Sequence, residues 1–172
     1  MRRLDTRTVG DDGEAEAARL LTRRGWAVEN LNDTVANHPL YDLRASKNGC
    51  TINISVKTAR SANRHVRFGP YAVISQLADD AFIFVFLSPH KGTEIDIGTE
   101  AYELWIVPGH ARHIAIDAHV HYHSGDELAA ASSTSPVMVK DKIDRSGGRS
   151  ISGAAFNTLR NQYKDAWTVL PA

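Results

Sequence analysis

The sequence predicts an α/β domain in which helices flank a mixed β-sheet. Three observations support this fold class: an amphipathic helical pattern over residues 11–24, a hairpin pattern over residues 41–58, and a continuous apolar run over residues 81–87. Read in order, the chain alternates helix, strand, hairpin, helix, strand, strand and helix. Such alternation favours a layered domain with a mixed sheet.

Length and composition limit the possible classes of protein. The chain has 172 residues, 42% of them hydrophobic, with 20 Lys and Arg balanced by 20 Asp and Glu. We expect one domain over residues 1–172, with a core at about 10–108 and a C-terminal extension over 109–172. The apolar content excludes wholesale disorder, and no run reaches the roughly 18 apolar residues that a membrane span needs.

Cellular context is predicted from the N-terminus and the cysteine content. The first residues lack the apolar segment of a secretory signal. A single cysteine, Cys50, excludes an intrachain disulfide framework and a multi-cysteine zinc site. We therefore expect a cytoplasmic protein.

The first half of the chain predicts a helix, a short strand and a hairpin. In the helix Ala17, Ala18 and Leu21 recur at helical spacing, and Gly25 ends the run. Residues 26–30 then predict a strand and residues 32–39 a turn. Two strands, over 41–45 and 50–58, are joined by a turn at 47–49.

The second half gives weaker signals after one strong strand. The run over 81–87 suits a strand buried on both faces. The remaining expectations are a basic loop over 61–70, a short helix over 71–77, a strand over 102–107, a linker or surface loop over 125–136 and a closing helix over 151–164.

The neutral total charge conceals two oppositely charged segments. Between Asp42 and Asp79 there is no acidic residue, whereas the stretch from Asp79 to Glu103 is strongly acidic. A basic stripe can attract polyanions even on a neutral protein. The alternative is that these charges interleave in three dimensions and cancel. The basic residues of the first segment are Arg44, Lys47, Lys57, Arg60, Arg64 and Arg67.

Glu14 lies on the apolar stripe of the predicted first helix, whereas Glu16 shares a face with Arg19. A carboxylate on an inward face is costly unless something satisfies it. One structural explanation is a capping-box variant, in which Asp11 begins the helix and Glu14 folds back on its start. A functional explanation is a ligand role in a site.

Asp42 and Lys57 lie on the two strands of the predicted hairpin. Alternation along the second strand puts Ser55 and Lys57 on one face and the neighbouring isoleucines on the other. If the register agrees, an acid, a hydroxyl and an ammonium converge, which suits metal-assisted phosphodiester hydrolysis. The structural alternative is a strand-end salt bridge between Asp42 and Lys57.

These residues resemble the PD-(D/E)xK nuclease superfamily, which includes restriction endonucleases and Holliday-junction resolvases. The resemblance covers roughly residues 10–108 and implies a restriction-endonuclease-like core. It is carried by Gly13-Glu14 with Ala17, Leu20-Leu21 and Gly25, by Tyr41-Asp42-Leu43, by Ile52-Asn53-Ile54-Ser55-Val56-Lys57-Thr58, and by the two later strand patterns over 82–87 and 102–108.

The resemblance implies catalytic roles for Glu14, Asp42, Ser55 and Lys57. Asp42, Glu14 and the main-chain carbonyl of Val56 match the positions that hold Mg²⁺ or Mn²⁺ in the family. Ser55 departs from the pattern, since the family usually has Glu, Asp or Gln there. The missing carboxylate could come from Asp79 or Asp80, with Gln76 as a neutral substitute, or from Glu14 alone. A third reading is loss of metal binding.

The basic segment after the motif predicts a DNA-binding surface. Arg60, Asn63, Arg64 and Arg67 follow Lys57 directly, and such side chains bind the phosphate backbone. A solvated loop is the structural alternative. Farther on, residues 119–123 predict a strand with His119, His121 and His123 on one face, which is either a metal site or a pH-sensitive surface.

The sequence thus predicts a Mg²⁺-dependent endonuclease acting on DNA, with a homodimer as the plausible assembly and no membrane partner. The alternative is a catalytically inactive DNA-binding or protein-interaction module on the same fold. Cleavage of plasmid DNA separates the two.

Overall fold

The structure of the protein, a computed structural model, describes residues 6–33, 38–60, 65–88, 98–99, 101–122, 136–142, 147 and 150–172. These residues contain the helices α1 (Thr6–Arg23), α2 (Tyr71–Ile74), α3 (His113–Tyr122) and α4 (Ile151–Tyr163). The strands are β1 (Ala27–Asn30), β2 (Leu43–Lys47), β3 (Cys50–Arg60), β4 (His65–Pro70), β5 (Phe82–Ser88), β6 (Glu103–Pro108) and β7 (Pro136–Lys140).

A five-stranded mixed sheet forms the centre of the fold, in the order β1-β2-β3-β5-β6. Strands β1, β2 and β3 pair antiparallel, β3 and β5 pair parallel, and β5 and β6 pair antiparallel. All seven residues of β5 are buried, as expected for a strand covered on both faces. The predicted fold class, an α/β protein with a mixed central sheet flanked by helices, is confirmed.

Helix α1 covers one face of the sheet. Its Ala17 and Leu21 are fully buried and pack with Ile54, Phe84 and other apolar residues of that face. Gly13 permits the close approach, because a Cβ at this position would lie 2.5 Å from a methyl carbon of Thr58 on β3. The helix begins at Thr6, so Glu14 lies in its middle and the capping-box explanation for Glu14 is wrong.

The second face of the sheet carries a two-stranded sheet, β4–β7, together with α2, α3 and α4. Val66 and Phe68 of β4 and Val137 of β7 are buried in one cluster with the inward side chains of β5 and β6. In this cluster Trp105 and Phe156 pack edge to face, with ring centroids 5.0 Å apart. The C-terminal extension therefore contributes to the hydrophobic core.

Two hydrogen-bonded carboxylates connect helices to other parts of the fold. Glu16 of α1 is fully buried and accepts hydrogen bonds from Arg19, from the Tyr102 hydroxyl and from the main-chain N–H of Gly98. Glu103 on β6 accepts two hydrogen bonds, of 2.6 and 2.7 Å, from the guanidinium of Arg160 on α4. Each carboxylate thus connects segments distant in sequence.

The predicted hairpin forms, with shifted boundaries. Asn48 and Gly49 have φ values of 50° and 80°, which suits a two-residue Asn-Gly turn between antiparallel strands. Strand β2 begins at Leu43, so Asp42 precedes the strand and does not lie within it. This shift frees the Asp42 side chain to turn towards β3.

Two local predictions are wrong. Residues 65–70 of the predicted basic loop form β4, because pairing with β7 satisfies their main-chain groups. Residues 113–122 form α3 rather than a histidine-bearing strand. Positions 119 and 121 of a helix point about 200° apart, so they do not share a face. Residue 123 and most of the predicted linker lie outside the described residues.

Among the helices of the described ranges, none combines the length and the apolarity of a membrane span.

Candidate active site

Asp42 lies immediately before the start of β2, where β3 continues beyond its pairing with β2. The last paired residues of the two strands are Leu43 and Ile54. Beyond that pair, Oδ2 of Asp42 accepts a 2.6 Å hydrogen bond from the main-chain N–H of Val56. In an extended strand the N–H and C=O of one residue point to the same edge. The Val56 carbonyl is therefore directed to the edge occupied by Asp42.

Ser55 and Lys57 lie on the sheet face that supports the β4–β7 sheet. Their register partners on β5 are Ile83 and Val85, both of which belong to the core on that face. The buried Ser55 hydroxyl donates a long, 3.4 Å hydrogen bond to Oδ2 of Asp42. The acid, the hydroxyl and the amine predicted from the sequence therefore come from neighbouring positions of one edge and face.

Lys57 is half-buried and forms no salt bridge or hydrogen bond with the part of the chain that the structure describes. In particular, the strand-end ion pair between Asp42 and Lys57, the structural alternative for this spacing, is absent between these two described residues. The ammonium group of Lys57 is thus available for another partner.

Glu14 reaches the same edge from α1. Oε2 of Glu14 accepts hydrogen bonds from the side-chain amides of Asn32, at 3.2 Å, and of Asn30, at 3.5 Å. The carbonyl oxygens of the two amides are also engaged: Asn30 accepts the main-chain N–H of Asn32, and Asn32 accepts that of His38. This pair of asparagines therefore fixes the Glu14 carboxylate at the end of β1.

The charges of Glu14 and Asp42 act on each other. Burial raises the pKa of the Glu14 carboxyl above its ordinary value, and the negative charge of Asp42 raises it further, although the amides of Asn32 and Asn30 oppose this. The charge of Asp42 thus disfavours ionisation of Glu14. A bound cation would offset that effect.

Each of these two carboxylates keeps one oxygen uncommitted. Within the described residues, the partners of Asp42 bind Oδ2 and those of Glu14 bind Oε2. Carboxylate and carbonyl oxygens are the ligands that hard divalent cations such as Mg²⁺ prefer. The donor set at this edge therefore fits Mg²⁺ or Mn²⁺, with water completing the coordination shell.

The proposed replacements for a missing carboxylate at Ser55 lie elsewhere. Asp79 is exposed and pairs with Arg112, and the side-chain amide of Gln76 donates to the Ala72 carbonyl. Asp80 is exposed. No group of three or more His, Cys, Asp and Glu side chains suited to a metal occurs in the described ranges. Among these carboxylates, Glu14 is the one whose pKa is raised by the charge of Asp42.

The predicted DNA-binding residues are only partly described. Arg67 is exposed on β4. Arg60 ends β3, but its side chain is not described, and residues 63 and 64 lie outside the described residues.

Asn30 and Asn32 are site residues that the sequence analysis missed. The only available signal was two amides, two residues apart, at the end of a short strand. That pattern is common in turns, where Asn bonds its own main chain. Only the packing of α1 against β1 brings these amides to Glu14.

No protein-family model and no curated protein matches the sequence. Among solved structures, the chain is similar to a bacterial homing endonuclease, I-Ssp6803I, with 18% identity, a TM-score of 0.45, and coverage of 96% of this chain and 91% of that one. It is also similar to Hjc, a Holliday junction resolvase from Archaeoglobus fulgidus, with 18% identity, a TM-score of 0.38, and coverage of 57% and 74% respectively. Both likenesses are distant.

Proposed function

We propose that this protein is a metal-dependent nuclease that hydrolyses phosphodiester bonds in DNA. One observation carries the proposal: Glu14 and Asp42, from a helix and a strand end, are held at one sheet edge with an uncommitted oxygen each. Lys57 lies two residues after Ser55 on the same face of β3, and its ammonium group has no hydrogen bond or ion pair within the described residues. This combination suits charge stabilisation at a phosphate.

The metal would be held by Asp42, Glu14 and the Val56 carbonyl. Such a Mg²⁺ or Mn²⁺ ion would act as a Lewis acid towards the phosphate and lower the pKa of bound water. The described donors include only two carboxylates. Sites of this kind suit Mg²⁺, which is usually bound through one or two carboxylates together with water and substrate phosphate.

Lys57 would donate a hydrogen bond to the attacking water or to a phosphate oxygen. Its positive charge would offset the negative charge that grows on the phosphate during attack. The Ser55 hydroxyl, buried against Asp42, would keep the Asp42 carboxylate turned towards β3. We therefore assign Ser55 a positioning role.

A second function is favoured by the serine at position 55. Without a carboxylate there, the described donors number fewer than a restriction-endonuclease-like motif usually provides. The alternative is a catalytically inactive module on the same fold that binds DNA or protein. Only the first function requires a metal at Asp42.

Plasmid nicking with Mg²⁺ and with Mn²⁺ tests the nuclease. The wild type is compared with Asp42→Asn and Lys57→Ala, with Asp117→Asn as the matched control, because Asp117 is exposed on α3. We expect cleavage by the wild type and the control, and a loss of at least a hundredfold in both site variants. Calorimetric titration with Mn²⁺ provides a readout that does not depend on turnover.

Two results would separate the functions. Metal binding that is abolished by Asp42→Asn, together with cleavage that depends on Lys57, supports the enzyme. Absence of cleavage on supercoiled, linear and branched DNA with either metal, alongside DNA binding, supports the inactive module.

A homodimer accompanies the enzyme proposal. Each chain offers one candidate site, whereas cutting both strands of a duplex takes two. Light scattering of the purified protein, alone and with DNA, tests this assembly. A protein that stays monomeric on DNA yet cuts both strands would contradict it.

A further inference from the structure

We propose that the outer face of the β4–β7 sheet is a second DNA-contact surface, which binds the phosphate backbone through His65, Arg67 and Lys140. The inference rests on the proposed function, because it takes DNA as the substrate. It extends that function by assigning affinity to a surface outside the candidate metal site. One of its residues, Lys140, is 73 positions from Arg67 in the sequence, and only the fold brings the two together.

Alternation separates the two faces of this small sheet. Val66, Phe68, Val137 and Val139 are buried against the core. The intervening residues point outward: Arg67 and Lys140 are exposed and His65 is half-exposed. The outer face of β4–β7 is therefore basic along both strands.

The pairing register groups these side chains. His65 lies directly opposite Lys140, and Arg67 lies opposite Met138, which makes Arg67 a diagonal neighbour of Lys140. Diagonal neighbours on one face of an antiparallel pair are about 7–8 Å apart. The positive charges are thus close enough to act on one stretch of polyanion.

The two cations of this face have no ion pair within the described ranges. Neither Arg67 nor Lys140 forms a side-chain hydrogen bond or ion pair there. The nearest acidic residue in sequence, Asp141, is half-buried and accepts a 3.4 Å hydrogen bond from Asn157 of α4. The uncompensated charge suits a phosphate backbone, which carries about one negative charge per 1.7 Å of duplex.

The surface is close in the chain to the candidate site. Strand β4 follows β3 after four residues, and its inward side chains pack over the sheet face that carries Ser55 and Lys57. One duplex bound in the proposed way would contact both the outer face of β4–β7 and the edge beside Asp42. Phosphate contacts of this kind orient DNA without reading its sequence.

The salt dependence of DNA binding tests the proposal. Anisotropy of a fluorescein-labelled duplex is measured in EDTA, where metal-dependent cleavage cannot occur, over a range of NaCl concentrations. Each lost phosphate contact should make the slope of log K against log salt less steep by about 1. We expect this shift in Arg67→Gln and in Lys140→Gln, and a shift of about 2 in the double variant.

Controls separate a charge contact from a folding defect. Lys47 lies beside the turn of the β2–β3 hairpin, at the end away from Asp42. Lys47→Gln removes one positive charge there and should leave the slope of log K against log salt unchanged. Arg67→Lys keeps the charge and should retain the wild-type slope. Circular dichroism checks that each variant is folded.

The outcomes distinguish this proposal from the nuclease. A wild-type slope in the folded double variant, or no binding of duplex by the wild type, overturns the second surface. Cleavage by the wild type together with an unchanged slope in the double variant supports the nuclease and rejects the second DNA-contact surface. A reduced slope with no cleavage under any metal supports the surface and rejects the enzyme. Competition by poly-glutamate as strong as by DNA would also overturn the assignment to DNA.

Discussion

The main-chain N–H of Val56 donates a 2.6 Å hydrogen bond to the carboxylate of Asp42. This contact continues the hydrogen-bond ladder of β3 one step past Leu43, the residue at which β2 begins. The Asp42 carboxylate therefore has two roles, or tasks, in the fold. Its Oδ2 satisfies a main-chain N–H at the edge of β3, and its Oδ1 has no hydrogen bond or ion pair within the described residues. A site built this way is coupled to the stability of the sheet.

Substitution of Asp42 should separate these two tasks. Asp42→Asn keeps an acceptor for the Val56 N–H and should change the free energy of unfolding by less than about 1 kcal/mol, while Mn²⁺ binding is lost. Asp42→Ala leaves the N–H unsatisfied and should cost about 1–3 kcal/mol. Urea denaturation and calorimetry measure the two effects. Equal destabilisation by both variants would contradict the ladder role.

Glu14→Gln should stabilise the metal-free protein and weaken metal binding. Burial and the charge of Asp42 disfavour the ionised carboxylate, which is why its pKa is raised. The neutral amide avoids both costs. We expect a higher urea midpoint in EDTA and at least a tenfold weaker affinity for Mn²⁺. A Glu14→Gln protein that is less stable than the wild type in EDTA and binds Mn²⁺ with the wild-type affinity would contradict this prediction.

Asn32→Ala should weaken metal binding through Glu14. Loss of the amide donor removes a hydrogen bond that stabilises the ionised Glu14, so the pKa of Glu14 should rise further. Partners that orient a ligand typically contribute 10–100-fold to metal affinity, and we expect a loss in this range. Carboxyl-detected NMR titration and calorimetry provide the readouts.

The control for Asn32→Ala is Asn53→Ala, because Asn53 makes an exposed side-chain contact with Arg44 on the outer part of the hairpin. It should leave both the Glu14 pKa and the Mn²⁺ affinity unchanged. Equal effects from the two substitutions would mean that Asn32 acts only through general stability.

Glu16→Ala should destabilise the fold by about 1–3 kcal/mol, because it removes a partly buried ionic partner of Arg19 and the acceptor of the hydrogen bonds from Tyr102 and Gly98. Burial alone would raise the pKa of Glu16, but the bonds from Arg19, Tyr102 and Gly98 outweigh it and lower the pKa. The stabilisation is therefore present above the ordinary pKa of 4.5 and is lost as the pH falls through the lowered value of the folded state.

The pH dependence gives the Glu16 prediction its own check. Urea unfolding at neutral pH should show the full difference in the free energy of unfolding between the wild type and Glu16→Ala. In strongly acidic buffer this difference should become smaller. Glu29→Ala, which removes an exposed partner of Arg44, should cost at most about 1 kcal/mol at any pH. A Glu16 effect that is constant with pH would contradict the ionic origin.

Local periodicity made the central sheet predictable. The alternation over 50–58 predicted strand β3, because burial on one face gives every second residue an apolar side chain. The apolar run over 81–87 predicted strand β5, because burial on both faces makes every residue apolar. Strands β4 and β7 were not predicted. Each has a short pattern, and each is stabilised by the other across about 70 residues of sequence.

The first helix also shows which features the sequence could predict and which it could not. The sequence indicated that Glu14 lies on an apolar stripe, but Glu16 is the fully buried carboxylate, whereas Glu14 is half-buried at the sheet edge. A helical pattern specifies which residues share a face. It does not specify where the covering layer ends, and the layer over Glu16 includes Gly98 and Tyr102, more than 80 positions away.

The sequence by itself determined the class of fold and the alternation that places Ser55 and Lys57 on one face of β3. Both follow from short-range periods of the backbone. Only the tertiary structure decided that Asn30 and Asn32 hold Glu14, that Asp79 pairs with Arg112, and that Arg67 and Lys140 share one face. Those relationships are long-range contacts, and side-chain partners so far apart in the chain leave no periodic trace in the sequence.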